Sequence, residues 1–421
     1  MNLLVIGMNY APERTGIAPF TTELCEYLAQ RGHRVTVATT FPHYPEWKTH
    51  ATYSGKWALT EQRNGVTLHR KAVFLPKRAS ALHRILYDTT LGVGAFFSGI
   101  RDDGFDLILG IEPPIQAGAA ARLLAARKRS PYVLLIQDLA LEAAASVGMV
   151  REGAAMRLAQ RLERWVYEGA RRIIVITPSF LGNLKRKGVA ESKLVYLPNW
   201  VSFHSPNGAT HDSGFRAAYG IGKESLLVLH SGNMGAKQQL ENVLHTAARL
   251  KNHSEITFLL VGDGSQKTAL MAEAQREGLK NVQFLPLQPS DQVPDMMAAA
   301  DILLLNQHPD LIEGVIPSKL LMYMAAARPI VVAAHPQSEA ARQVRAANCG
   351  VWVAPNQPDA LAAAIVRLAA DAPSRTALGQ HGRAYVEQNY AREHLVQAYE
   401  ECLLDVLTGL NSPQRTQSNT R

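Results

Sequence analysis

Short, unbroken apolar runs alternating with stretches of helical periodicity constrain this chain more than any other feature, because they leave few alternatives to a parallel sheet. Leu3 to Ile6 is such a run, followed by a loop containing proline and glycine. Phe20, Leu24, Tyr27 and Leu28 then recur at helical spacing until Gly32, which suits a C-cap. Val35 to Thr39 reads as the next strand. The order repeats with Asp106 to Leu109, Ile115 to Arg127, Tyr132 to Ile136, Arg172 to Ile176 and Leu194 to Leu197. Strands that are apolar at every position are buried on both faces, so a parallel sheet covered by helices on both sides is expected.

The segment Val201 to Asp212, with Pro206, Asn207 and Gly208, has no apolar periodicity and reads as a linker. Beyond it the alternation starts again. Leu226 to His230 and Ile256 to Val261 read as strands, with Leu240, Val243, Leu244, Ala247 and Ala248 on one face of the helix between them. Ala300 to Leu305, Ile330 to Ala333 and Val351 to Val353 continue the pattern. At 421 residues the chain is long enough for two cores. The expectation is an α/β protein of two doubly wound, Rossmann-like domains with a cleft between them. They span 1–204 and 213–384. The stretch Tyr385 to Leu407, within 385–410, is expected to pack back on the first domain as one helix, and 411–421 reads as a disordered tail.

The composition, 47% hydrophobic and 19% charged, is that of a globular protein and far from the profile of disorder. Residues 1–205 hold 26 Lys and Arg against 16 Asp and Glu, leaving 18 against 20 for the rest, so the excess of +8 resides in the first half. A basic half points to an anionic partner, either a phosphate-bearing substrate or an acidic lipid surface. Nucleic acid is disfavoured because no RNA- or DNA-binding motif is present. Cys25, Cys349 and Cys402 are widely separated and contain no C-x-x-C pair, which supports neither a disulfide framework nor a zinc site and suits a reducing compartment. The N-terminus lacks a basic region before its apolar run and reads as a first strand, not a signal peptide. The longest apolar stretch, near Ile85 to Ile100, includes Asp88 and is shorter than the roughly 20 residues of a spanning helix.

In open parallel sheets ligands bind beyond the carboxyl ends of the strands, so the loops there are the places to search. The first holds Gly16 just before a helix, where backbone can approach an anion; a plain tight turn explains it equally well. It is not G-x-G-x-x-G, which disfavours a nicotinamide dinucleotide. The second, Ser231-Gly232-Asn233-Met234-Gly235-Ala236-Lys237, puts two glycines and a lysine at an expected helix start and suits a diphosphate. The third, Gly262-Asp263-Gly264, would line the same pocket. The fourth runs from Asp310 through Glu313 to Pro317, Ser318 and Lys319. It places a carboxylate beside another anion-binding helix end, unless Ser318 merely caps its own helix.

These pieces resemble, over nearly the whole chain, the retaining GT-B glycosyltransferases of family 4. The resemblance is carried by the opening loop through Gly32-His33-Arg34-Val35, Thr177-Pro178-Ser179, Leu197-Pro198-Asn199, the Gly232 to Lys237 loop, Gly262-Asp263-Gly264 and the Pro317 to Pro329 helix. Gln137-Asp138-Leu139 and Ile316-Pro317-Ser318-Lys319 look most like the bacterial exopolysaccharide branch, including fucosyltransferases of colanic acid synthesis. The resemblance implies that Lys237 contacts the donor diphosphate, that Asn233 stands where many members have arginine, and that Gly16 approaches the donor. It also makes Glu313 the first carboxylate of the paired-glutamate motif, with Gly232, Gly262, Asp263, Ser318 and Lys319 around the donor.

Two positions depart from the family pattern. Met322 replaces the second glutamate, which usually holds the ribose, and Asp138 stands where many members carry a histidine, as a candidate base or sugar contact. No D-x-D triad sits at a strand end, since Asp102-Asp103 precedes a strand, so no metal or other cofactor is expected beyond the nucleotide-sugar itself. The resemblance further implies a front-face substitution in which the leaving phosphate accepts the acceptor's proton.

Lys71, Lys77, Arg78, His83 and Arg84, interleaved with Phe74, Leu75, Leu82, Ile85 and Leu86, fit a segment resting on anionic lipid, or equally a partly buried loop and helix with solvated charges. On the lipid reading the acceptor is a polyprenyl diphosphate-linked saccharide, and the protein works peripherally at the cytoplasmic face of the membrane. Two rival functions remain at this level: a non-catalytic partner that keeps the fold, motivated by Met322 and the missing histidine, and a nucleotide-sugar epimerase.

Overall fold

The apolar runs become the strands of two sheets in the computed structural model, which describes residues 1–13, 16–44, 47–76, 81–102, 104–139, 141–142, 153–201, 214–289, 291–311 and 316–409. The linker beyond Val201 and the tail 411–421 lie outside the described residues. Contacts divide the chain into two units, Met1–Asn199 with the chain from Glu393 onward, and Trp200–Arg392.

In the first unit the strands are β1 (Asn2–Ile6), β2 (Arg34–Thr40), β3 (Ala58–Arg63), β4 (Val66–Lys71), β5 (Leu107–Glu112), β6 (Tyr132–Ile136), β7 (Arg172–Val175) and β8 (Leu194–Tyr196). Their order is β3-β4-β2-β1-β5-β6-β7-β8. Leu4 of the central β1 sits opposite Thr36 on one side and Ile108 on the other. The sheet is parallel except at one edge, where β3 runs antiparallel to β4. That edge corrects the all-parallel expectation. Its strands, Ala-Leu-Thr-Glu-Gln-Arg and Val-Thr-Leu-His-Arg-Lys, have no unbroken apolar run, and Asn64 and Gly65 turn the hairpin with positive φ.

The second unit carries β9 (Leu226–Ser231), β10 (Ile256–Val261), β11 (Val282–Leu285), β12 (Ile302–Asn306), β13 (Ile330–Ala333) and β14 (Gly350–Val353). Their order is β11-β10-β9-β12-β13-β14, with every pair parallel. One face of this sheet buries Leu227, Leu229, Leu303 and Leu305, the other Val228, Phe258, Leu260 and Leu304. In such sheets the chain winds outward in both directions from one strand, and the crevice opens where the direction reverses. That point lies between β1 and β5 in the first unit and between β9 and β12 in the second.

The stretch Tyr385 to Leu407 is not one helix. The helix Ala372–Asn389 ends at Tyr390, and Arg392–Thr408 starts anew. Between them Val201 N donates to Tyr390 O at 2.9 Å, and Val201 pairs with Ala391 as a parallel bridge, so backbone pairing there replaces the helical bonds.

The helix Arg392–Thr408 is held to the first unit by the buried carboxylate of Glu400. It meets His33 Nε2 at 2.8 Å, accepts from Tyr27 Oη at 3.1 Å and from Arg31 Nε at 3.3 Å. Burial works to raise its pKa, but the hydrogen bonds from His33 and Tyr27 and the nearby charges outweigh it and hold the carboxyl below the ordinary range. Glu400→Ala should cost about 3 kcal/mol of stability in denaturant unfolding at neutral pH, because it strips the partner from a buried polar cluster. Since the folded pKa is the lower one, the wild-type contribution is present above the unfolded carboxylate pKa and is lost as pH falls through the folded one. An unchanged midpoint in the variant would contradict this role.

Candidate active site

Beside the reversal point of the second sheet, at the carboxyl ends of the neighbouring strands β9 and β10, two glycine turns are pressed together backbone to backbone. After β9 the chain runs through Gly232, Asn233 and Met234; after β10 it runs through Gly262, Asp263 and Gly264. Gly232 N donates to Val261 O at 2.8 Å, Met234 N to Asp263 O at 2.8 Å, and Gln266 N to Met234 O at 2.9 Å. A Cβ on Gly262 would stand 1.9 Å from Gly232 O, and the φ of +144° at Gly262 is one that residues with side chains rarely adopt. Only glycine permits this approach. Met234 is buried beneath the joint, while Asn233 and Asp263 stay exposed on its rim. The Asp263 carboxylate accepts from the following Gly264 N at 2.8 Å and so shapes its own turn.

A lysine lies over this joint. Helix Ser318–Ala325 follows Pro317 with no side-chain cap on its first turn; Leu320 N turns back to Pro317 O at 2.8 Å, and the N–H groups of Ser318 and Lys319 have no acceptor among the described residues. Its Lys319 ammonium lies 3.3 Å from the point a Gly232 Cβ would occupy. Among the described residues this ammonium has no hydrogen-bond or ion-pair partner, and burial pushes its pKa down to about 8. On the next turn Tyr323, fully buried, accepts from Ser231 N at 2.8 Å and donates to Ser231 O at 3.3 Å, which fixes the helix to the end of β9. His230 lies buried just before; burial first, and then the Lys319 charge, push its pKa down to about 3, so the ring is neutral. An ammonium that is half-buried beside a helix N-terminus, with no partner among the described residues, gains from an anion that joins it. Phosphate is the group such a site fits.

Lys237 is placed differently from the expectation. It is exposed on a single 3₁₀ turn, Ala236–Gln238, and the regular helix Glu241–Arg249 starts beyond it. Its turn still faces the crevice, because the loop after β12 holds it: His308 N donates to Lys237 O at 2.8 Å. Ser318 is exposed at the first position of its helix and caps nothing, and Met322 is half-exposed on the same helix. Glu313 lies outside the described residues. The structure therefore groups Gly232, Asn233, Gly262, Asp263, Ser318 and Lys319 around one joint, with Lys237 on the adjoining turn.

The remaining candidates belong to the first unit. Gly16, at φ +64°, precedes helix Ala18–Gln30 and faces the Tyr44 ring. The sequence gives no hint of what fixes this loop, which is Glu13: its buried carboxylate accepts from Asn9 Nδ2 at 2.7 Å and from His43 N and Tyr44 N at 2.8 Å, tying the loops after β1 and β2. Asp138 is exposed at the end of β6 and accepts from Leu139 N at 2.8 Å, while Gln137 beside it pairs reciprocally with Asn199. Lys71 ends β4 with its ammonium 5.7 Å over the Phe97 ring, and Arg84 pairs with Asp88 at 3.0 Å. Lys77 and Arg78 lie outside the described residues.

Glu13, His230, Tyr323 and Asn306 are the site residues that sequence reasoning missed. The available signal was polarity out of place: His230 and Asn306 close otherwise apolar strands, and Tyr323 is spaced one turn from Lys319. Among the described residues no group of three His, Cys, Asp or Glu forms a metal-binding set, and no helix is long and apolar enough to cross a membrane.

Comparison with known proteins places these features in one family. Residues 15–200 match the glycosyl transferase 4-like domain, and residues 213–385 match the glycosyl transferases group 1 domain. A protein of Escherichia coli K12 named as a colanic acid biosynthesis glycosyl transferase, WcaI, is 32% identical over 95% of this chain and 98% of its own. WbjE of Pseudomonas aeruginosa, named as a glycosyltransferase, is 24% identical over 66% of this chain and 69% of its own. Among solved structures, a sucrose-phosphate synthase from Thermosynechococcus elongatus superposes with a TM-score of 0.74 at 17% identity, covering 97% of this chain and all of that one. HepE of Anabaena in complex with UDP gives 0.70 at 17% identity, covering 96% of this chain and all of its own. The fold is the two-domain GT-B fold.

The glycine joint yields a direct test. Gly262→Ala should destabilise the protein by at least about 2 kcal/mol, since the methyl group meets backbone oxygen at a backbone angle that alanine resists. A melting temperature equal to that of the wild type would show that the two turns do not pack in this way.

Proposed function

Because this chain belongs to the group 1 glycosyltransferases, we propose that its second unit takes a GDP- or UDP-sugar and that the sugar passes, with retention, to a lipid-linked oligosaccharide in exopolysaccharide synthesis. The single observation that carries the donor reading is the half-buried Lys319 ammonium over Gly232, which has no partner among the described residues and sits at the start of a helix without a side-chain cap. A nucleoside diphosphate supplies the anion this group lacks, and charge grows on that diphosphate as the glycosidic bond to the sugar breaks. Fixed cations and N–H dipoles at that point lower the barrier because they are oriented before the reaction starts. Lys237 adds a second, exposed cation on the adjoining turn, and in this reading no metal is required. The other donor contacts are Gly232, Asn233, Gly262, Asp263 and Ser318, with Gly16, Glu313 and Asp138 meeting the donor sugar or the acceptor. Met322 offers no acceptor for a ribose hydroxyl, so ribose is held by other groups.

The likeness to WcaI, together with the basic first half, supports an acceptor carried on a polyprenyl diphosphate at the cytoplasmic membrane surface. The helix Ala81–Arg101 adds a physical reason. Ile85, Leu86, Val93 and Phe97 lie exposed along it near Lys71 and Arg101, and Phe74 and Trp57 are exposed on the same unit, Trp57 at 84%. Apolar side chains beside cations fit the boundary between acyl chains and anionic headgroups.

The enzyme assay is release of nucleoside diphosphate from GDP- and UDP-sugars in the presence of a polyprenyl diphosphate-linked saccharide. Turnover that needs both substrates supports the reading, and no turnover with any pair overturns it. Lys319→Met should weaken nucleoside diphosphate binding by about tenfold or more without lowering the melting temperature, because it removes a half-buried charge that has no partner among the described residues. In the wild type, affinity should fall as pH rises past about 8, where free Lys319 loses its proton, and titration calorimetry should find that dependence flattened in Lys319→Met. Val93→Asp with Phe97→Asp should weaken flotation with anionic vesicles about tenfold while leaving nucleotide binding unchanged; equal flotation would exclude this face from the membrane.

A further inference from the structure

Asn306 is a polar residue at the end of the apolar strand Ile-Leu-Leu-Leu, and only 2% of it is exposed. Its amide is used completely. Nδ2 donates to Gln238 O at 2.8 Å and to Gln239 O at 2.9 Å, while Oδ1 accepts from Asn242 Nδ2 at 2.8 Å, and that last bond orients the amide. Two residues further on, His308 N donates to Lys237 O at 2.8 Å. The carbonyls of Lys237, Gln238 and Gln239 are thus all held from the β12 side of the crevice. Gln239 needs such support, because its φ of +43° is left-handed and a non-glycine residue keeps that conformation only where its surroundings impose it. A one-turn 3₁₀ segment has too few internal bonds to fix itself.

We infer that Asn306 is a positioning residue for donor binding: it never touches the donor, but it locks the turn that presents Lys237, so diphosphate affinity depends on its amide. The inference rests on the reading that Lys237 meets the donor diphosphate. It makes the loops on the two sides of the reversal point one unit, with β12 setting where the cation from the β9 loop stands. Without the amide, Gln238 O loses its side-chain donor and Gln239 O keeps only Asn242 N at 3.2 Å, so the strained turn relaxes to other conformations.

The test is a double-mutant cycle on the full chain, with GDP and UDP affinities measured by titration calorimetry for the wild type, Asn306→Ala, Lys237→Ala and the double variant. The expected result is about tenfold weaker binding in Asn306→Ala, a loss in Lys237→Ala, and a double variant no weaker than Lys237→Ala alone, since residues acting through one another are not additive. Affinity for the nucleoside without phosphates should stay at the wild-type value, which a general loss of structure would not allow. Wild-type affinity in Asn306→Ala, or losses that add in the double variant, would overturn the inference and leave the phosphate reading standing. Wild-type affinity in Lys237→Ala would overturn the inference together with the reading that Lys237 meets the diphosphate. If Asn306→Ala does not fold, Asn242→Ala frees the amide to rotate without emptying its place, and the same cycle with that variant decides between the same outcomes.

Discussion

The contact of Gly232 with Gly262, backbone against backbone, sets the geometry of everything around it in the second unit. With a side chain at Gly262 the β9 and β10 turns would be forced apart, and one at Gly232 would press on Lys319. Their closeness leaves a shallow floor on which helix Ser318–Ala325 lays Lys319, and Tyr323 ties that helix back to Ser231. The floor is made of peptide groups and cannot neutralise the lysine. What results is a site whose parts are well packed and whose lysine charge has no partner among the described residues, a state a protein keeps where a ligand completes it.

The first unit shows carboxylates used to the opposite effect. Glu13 and Glu400 are buried and each meets three polar partners, one tying two loops at the carboxyl ends of β1 and β2, the other tying the final helix to Tyr27, Arg31 and His33. Their charges are spent within the structure, which makes them supports for neighbouring residues. Lys319 differs from both in lacking a partner among the described residues, and this difference separates the proposed donor contact from the scaffold.

Much of the fold was legible because its strands are buried on both faces and so carry unbroken apolar runs. Where that condition fails, the reading failed as well. The β3–β4 edge has no unbroken apolar run, and β11 has only half-buried positions. The break at Tyr390 was invisible because Val201, far away in sequence, supplies the bonds that interrupt the helix. In the site, the glycine turns could be located from their composition and position after strands. The 3₁₀ turn under Lys237 could not, since Asn306 and His308 fix it from another strand end. Nor could local sequence distinguish an exposed lysine from a half-buried one, yet that contrast between Lys237 and Lys319 gives the two their different chemistry.

The central claim is that the second unit holds a nucleoside diphosphate on lysines and backbone. Thermal unfolding of the purified protein with GDP, UDP, ADP and their sugars, in excess chelator, tests it most directly, because a ligand that binds only the folded state must raise the melting temperature. The account predicts a rise with GDP or UDP that the chelator does not diminish. No rise with any nucleotide at saturating concentration, or one that appears only when a divalent cation is restored, would contradict it.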